Sequence, residues 1–98
     1  MATYIAKIVT VTPYTITTND EVLLVNVNGK SSIILPALSG EKNQVYYIKD
    51  YSGNAKINPI TITAAGSKTI DGVSFAMLNS GYSHIQVIYD GTNWKTIA

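Results

Sequence analysis

Apolar and polar residues alternate along most of this chain, in short runs of Ile, Val, Tyr and Thr broken by glycine and proline. A period of two marks half-buried strands, and no window keeps the i, i+3, i+4, i+7 spacing of a helix. The pattern predicts nine strands: Tyr4–Val11, Tyr14–Thr17, Val22–Val27, Ser32–Leu35, Val45–Lys49, Ile60–Thr63, Phe75–Leu78, His84–Tyr89 and Trp94–Ile97. A single turn near Asn19-Asp20-Glu21 is the most helical structure it allows. Glycines stand at 29, 40, 53, 66, 72, 81 and 91, and most gaps between them match the turn rhythm of sandwiches and barrels. Asn28-Gly29 and Asp71-Gly72 are the dipeptides that type I′ hairpins prefer, and Asp90-Gly91-Thr92-Asn93 predicts a slightly longer hairpin. Ser52-Gly53-Asn54 and Ala65-Gly66-Ser67 read as loops.

Alternation also assigns faces. Ile85, Val87 and Tyr89 share one side of their strand, Ile60 and Ile62 one side of theirs, and Trp94 alternates with Lys95. Ile33-Ile34-Leu35 is apolar on both sides, so it reads as a central strand or as one covered by a neighbouring subunit. The first strand is also apolar on both sides: Tyr4, Ala6, Ile8 and Thr10 line one, and Ile5, Lys7, Val9 and Val11 the other. Such a strand must be paired or covered, and Pro13 separates it from the second strand. We therefore divide the chain into an N-terminal strand or arm, 1–13, and a single β-sandwich module, 14–98. The arm is expected to add as an edge strand to a neighbouring subunit or to a protein beneath, the alternative being the first strand of its own sandwich. The contact residues expected on this reasoning are Tyr4, Ile5, Ile8, Val9, Val11, Ile33, Ile34 and Leu35. The predicted fold class is all-β, a small antiparallel β-sandwich of jelly-roll-like form.

Ninety-eight residues make one domain with an adequate but not generous core. No cysteine is present to staple it. Charged residues make up 13% of the chain, against roughly 25% in an average soluble domain. Apolar content is an ordinary 46%, so Thr, Asn and Ser stand where charge is usual, and disorder is excluded. A surface this poor in charge suits burial between subunits. The cations are seven scattered lysines with a net charge of +1, which disfavours nucleic acid as a partner. No apolar run approaches the ~20 residues needed to cross a bilayer, and the start lacks the basic region of an export signal.

Catalysis finds little material. His84 is the single histidine and arginine is absent. Ser83, His84 and Asp50 could be written as a triad, but adjacent strand residues point to opposite faces. The acidic residues are scattered beside turns rather than alternating as a calcium loop requires, so neither a metal nor a cofactor is expected. Among the aromatics, Tyr47, Tyr82, Tyr89 and Trp94 are candidates for core packing or for a glycan-facing platform. Tyr46 and Tyr47 must face opposite ways, so no one platform holds every ring.

Ser32-Ile33-Ile34-Leu35-Pro36-Ala37 opens a further pattern. It continues with Tyr47-Ile48-Lys49-Asp50-Tyr51-Ser52-Gly53-Asn54-Ala55, Asn58-Pro59-Ile60-Thr61-Ile62 and Thr69-Ile70-Asp71-Gly72, and it closes on Tyr89-Asp90-Gly91-Thr92-Asn93-Trp94. In this order the motifs resemble a β-module that recurs in bacteriophage and other large-virus surface proteins, mostly at the ends of tail fibres, tail spikes and capsid fibres. The resemblance runs from about Tyr14 to the C-terminus. It implies a virion structural protein on the particle surface, made in the host cytoplasm, whose compact subunits assemble as homotrimers and dock on a capsid or tail protein. Because the module begins almost at the first methionine, a small decoration, cement or short-fibre protein is expected. The alternative is a fibre-tip module that binds a host surface glycan or other receptor.

Overall fold

A computed structural model describes residues 3–38 and 43–98. Met1 and Ala2 of the arm, the turn signal at Gly40 and the lysine at position 42 lie outside the described residues. All nine predicted strands are present: β1 (Ala6–Val9), β2 (Tyr14–Thr15), β3 (Val22–Val25), β4 (Ser31–Leu35), β5 (Val45–Asp50), β6 (Ile60–Ala64), β7 (Phe75–Leu78), β8 (His84–Tyr89) and β9 (Trp94–Thr96). The described residues contain no helix, and Asn19 sits in a plain turn. Two sheets form the molecule. Sheet A has the order β1-β3-β5-β8-β9, and sheet B the order β2-β4-β6-β7.

The pairing corrects the expected antiparallel, jelly-roll-like sandwich. β1, β3 and β5 are parallel neighbours, and so are β2, β4 and β6. The chain alternates between the sheets for its first six strands, laying each new pair beside the last like the turns of a flattened coil. Only then does it turn antiparallel, through β6–β7, β5–β8 and β8–β9. Asn28-Gly29 makes no hairpin: Gly29, at φ 130°, carries the chain from β3 in sheet A to β4 in sheet B. Asp71-Gly72 is the tight turn expected. Both residues have positive φ, and Ile70 and Val73 exchange backbone hydrogen bonds of 2.8 and 3.1 Å.

The core lies between the sheets and obeys the predicted alternation. Leu23, Ile33, Leu35, Ile48, Ile62, Val87 and Trp94 are fully buried. Trp94 anchors one end, with the Tyr89 and Tyr46 rings 5.1 and 5.7 Å away. Burial of each large apolar side chain contributes roughly 1.5–3 kcal/mol.

Short polar residues fix the corners. Asp20 accepts hydrogen bonds from the Tyr14 hydroxyl (2.6 Å) and the Thr17 amide (2.9 Å), closing the crossing from β2 to β3. Burial first, then the bond to Asp20, pushes the Tyr14 phenol up to about 12. Asp50, buried in the core edge, accepts from the Ala55 and Tyr82 amides at 3.0 Å each. Burial alone would raise its carboxyl, but the Tyr82, Ala55 and Gly53 amides and the Ser52 hydroxyl outweigh it and hold the group below its ordinary value.

The arm packs in cis. β1 pairs in parallel with β3 of the same chain, Ala6 opposite Val22 and Val9 opposite Val25. The Glu21 carboxylate accepts the Ile5 amide at 2.9 Å. Thr12 receives the Ser32 amide at 2.7 Å, extending the β2–β4 ladder past the cis Thr12–Pro13 bond.

Candidate functional site

The two sheets turn different chemistry outward. Register places three rows on the outer face of sheet A: Ala6, Val22, Tyr47 and Gln86; then Ile8, Leu24, Lys49 and His84; then Val45, Ile88 and Lys95. Six of these residues are large and apolar. The outer face of sheet B carries Thr15, Ile34, Thr63 and Phe75 in one row and Ser32, Thr61 and Met77 in the other. Hydroxyls are the larger share there, and the three apolar exceptions are Ile34 on central β4 and Phe75 and Met77 on the edge strand.

Sheet A gains its outward apolar surface because β3 reads Val22-Leu23-Leu24-Val25. Two of these four residues fill the core, and the other two are left half-buried outside. Tyr4, just ahead of β1, folds over this face and meets the Tyr47 ring edge-on at 5.3 Å. Hydrogen bonding to Tyr4, with some burial, raises the Tyr47 phenol. Tyr4, Val22, Leu24, Tyr47, Lys49 and His84 enclose a shallow, apolar-walled cleft of about 280 Å³.

One end of the face is stiffened. Tyr82 adopts φ 61°, a left-handed conformation costly for a bulky side chain. Its amide is held by Asp50, its carbonyl accepts the Lys49 ammonium, and that ammonium lies 5.8 Å from the centre of its ring. The ring also rests on Gly53, where any Cβ would come within 2.5 Å of it. Tyr82 is thereby an exposed aromatic with a fixed position.

Among the residues expected at contacts, Tyr4, Ile5, Ile8 and Val11 are exposed, and Ile34 is half-buried on the outer face of sheet B. Val9, Ile33 and Leu35 are core residues and cannot serve as surface contacts. They share the inward parity of their strands, and β4 is central between β2 and β6. Of the four candidate aromatics, Trp94 and Tyr89 are also core, so neither can face a glycan, whereas Tyr47 and Tyr82 lie on the surface. The outward residues Val22, Leu24, Val45 and Ile88 are not among the expected contacts. Val22 and Leu24 are signalled by the unbroken aliphatic run of β3, the same pattern that marks Ile33–Leu35, while Val45 in β5 and Ile88 in β8 stand outside any such run.

Asp50, a conceivable triad member by sequence, is spent on backbone amides, and the Ser83 hydroxyl donates to the Ser80 carbonyl at 2.6 Å. No group of three or more His, Asp or Glu side chains able to hold a metal occurs among the described residues. No helix among them is long and apolar enough to cross a membrane. No protein-family model matches the chain, and no curated protein matches it significantly.

Proposed function

We propose that this chain is a structural protein of a virus particle, a small decoration, cement or short-fibre subunit that self-associates, as a trimer, through the outer face of sheet A. The observation that carries the reading is the contrast between the two outer faces. Half-buried Val22, Leu24, Val45, Tyr47 and Ile88, with Ile8 and Tyr4, form one contiguous apolar surface. Contiguous surfaces of this kind on a small domain mark interaction sites, while singly scattered apolar residues need no explanation. The ordered motifs from Ser32 to Trp94 supply the viral setting by resemblance. The chain performs no chemistry in this reading; it covers or extends a surface.

Cryo-electron microscopy of particles carrying the protein tests it. Density for three copies meeting at the sheet A face, seated on a capsid or tail protein, is the expected result. Particles with no such density would overturn it.

The rigid exposed Tyr82 favours a second reading, in which the surface beside Lys49 stacks a host sugar ring. Tyr82→Ala would then abolish attachment to host cells while leaving the assembly's mass unchanged.

A further inference from the structure

The sheet edges at the two ends of the coil are finished differently. At the far end, β9 is covered by the segment around Asp71. The Trp94 amide donates to the Thr69 carbonyl (2.9 Å), and the Asp71 amide to the Trp94 carbonyl (3.0 Å). The Asp71 carboxylate also accepts the Thr96 amide and hydroxyl. At the near end, β1 and β2 are the outermost strands of the two sheets, side by side and uncovered among the described residues. The carbonyls of Ile5 and Val9 accept from Val22, the first residue of β3, and from Asn26, just past its end. In a parallel ladder such bonds alternate, so the backbone groups of Ala6 and Ile8 point away from the sheet.

The side chains at this end are unfinished in the same way. Ile5, Lys7 and Val11 have the inward parity of core-filling Val9, yet Ile5 is 63% and Val11 71% exposed because none of the described residues forms a next layer over them. Lys7, Ile8, Val9, Thr10, Val11 and Tyr14 border an open hollow of about 220 Å³. The Lys7 ammonium lies 5.5 Å from the centre of the Tyr14 ring, and among the described residues no carboxylate pairs with it.

We infer that this open end is a strand-acceptor site: an extended segment of another polypeptide adds alongside β1, parallel to it, and brings an acidic side chain opposite Lys7. An extended main chain matches the alternating donors and acceptors of Ala6 and Ile8, and one running parallel continues the β1, β3, β5 order of sheet A. In parallel register the occupant matches Ile5-x-Lys7-x-Val9-x-Val11, and so reads apolar-x-Asp/Glu-x-apolar-x-apolar. None of the six acidic residues of this chain sits in that pattern, read in either direction. A second copy of β1 is also a poor occupant. Symmetric antiparallel pairing would set two Lys7 ammoniums on one face, directly opposite or about 7–8 Å apart on the diagonal, where like charges repel. The inference goes beyond self-association, because the outer face of sheet A and the β1 edge use different groups.

The rival is that Lys7 is an inward-pointing charge that guards the edge against any pairing. Hydrogen exchange at the Ala6 and Ile8 amides decides between them. The probe is a blocked peptide copying Tyr4–Val11 with Lys7→Glu, compared with the unaltered peptide. We expect the acidic peptide to slow exchange at both amides at least tenfold and the unaltered one to have little effect. The preference should invert in a Lys7→Glu protein. Ala6→Pro, at the first position of β1, removes an outward amide and no residue of the apolar face, so this variant should keep its melting temperature and lose peptide protection at Ile8. If Ala6→Pro unfolds the chain, the Lys7→Glu inversion still decides the matter. Failure of both peptides to protect, or equal protection by both, would overturn the proposal. Protection that rises with protein concentration in the absence of peptide would identify a second copy as the occupant and overturn it too. A chain that assembles through sheet A but fails these tests would lose only the strand-acceptor site.

Discussion

The outer faces of sheet A and sheet B are built from the same strand alternation, yet the first is richer in apolar side chains and the second in hydroxyls. Sheet B turns outward the hydroxyls of Thr15, Ser32, Thr61 and Thr63, which water can satisfy, with Ile34, Phe75 and Met77 set among them. Sheet A turns outward Ile8, Val22, Leu24, Val45, Tyr47 and Ile88, which water cannot. The inward residues are equally apolar in both sheets, so folding alone does not explain the difference. A chain with only 13% charged residues has few means of keeping an apolar face apart from its neighbours. The contrast favours one side of a small sandwich as its interaction surface.

Both faces rest on one core, and each can also be altered by itself. The largest effect is expected in the core that carries both: Trp94→Ala should cost about 3–5 kcal/mol, enough to remove most of a small domain's stability, read as a fall in the denaturant midpoint. A variant that kept its midpoint would mean that the two faces do not share one core. Next is Leu24→Glu, which puts a carboxylate in the middle of the apolar face. It should weaken association by about 2 kcal/mol or more while leaving the far-ultraviolet circular dichroism of the domain unchanged.

Asp50 ranks third. Asp50→Ala leaves the Ala55 and Tyr82 amides without their acceptor and should lower stability by about 1–3 kcal/mol. Its effect should be concentrated on Tyr82, whose ring should become mobile by NMR. The same group governs the pH dependence. The carboxyls of Asp50, Asp71 and Asp90 are held below the ordinary value of 3.8 by hydrogen bonds to amides and, for Asp50 and Asp71, hydroxyls. A group whose pKa is lower folded than unfolded stabilises the fold above its unfolded pKa, and that stability is lost as pH falls through the folded value. The melting temperature should therefore hold steady above about pH 5 and drop below about pH 4. Asp50→Asn should flatten that drop. The smallest effect belongs to sheet B: Thr61→Glu, on its outer face, should change stability by no more than about 0.5 kcal/mol in a thermal melt.

Much of this is legible in the sequence, and the parts that are not share a common cause. A period of two states which residues turn inward, and Val87, Tyr89, Trp94, Ile60 and Ile62 all do. It says nothing about which strand lies alongside. The preference of Asn-Gly for type I′ turns points to a hairpin at Asn28-Gly29, but the same backbone freedom also suits a corner between sheets. The parallel stacking of β1, β3 and β5 is decided by contacts distant in sequence. For the site, the exposure of Tyr4, Ile5, Ile8 and Val11 can be read from a first strand with two apolar faces. Val9, Ile33 and Leu35 cannot be separated from them, because a doubly apolar strand does not announce which side meets its own core. Val22 and Leu24 escape for the complementary reason: a four-residue apolar run reads as interior on both sides, while only Leu23 and Val25 are.

Sedimentation equilibrium on the intact protein and on the Leu24→Glu and Thr61→Glu variants decides whether the outer face of sheet A holds the assembly together. A mass of about 32 kDa, three 10.6 kDa chains, is expected for the unaltered protein and for Thr61→Glu, and a monomer for Leu24→Glu at micromolar concentration. A monomeric unaltered protein, or an assembly that survives Leu24→Glu and is lost with Thr61→Glu, would contradict it.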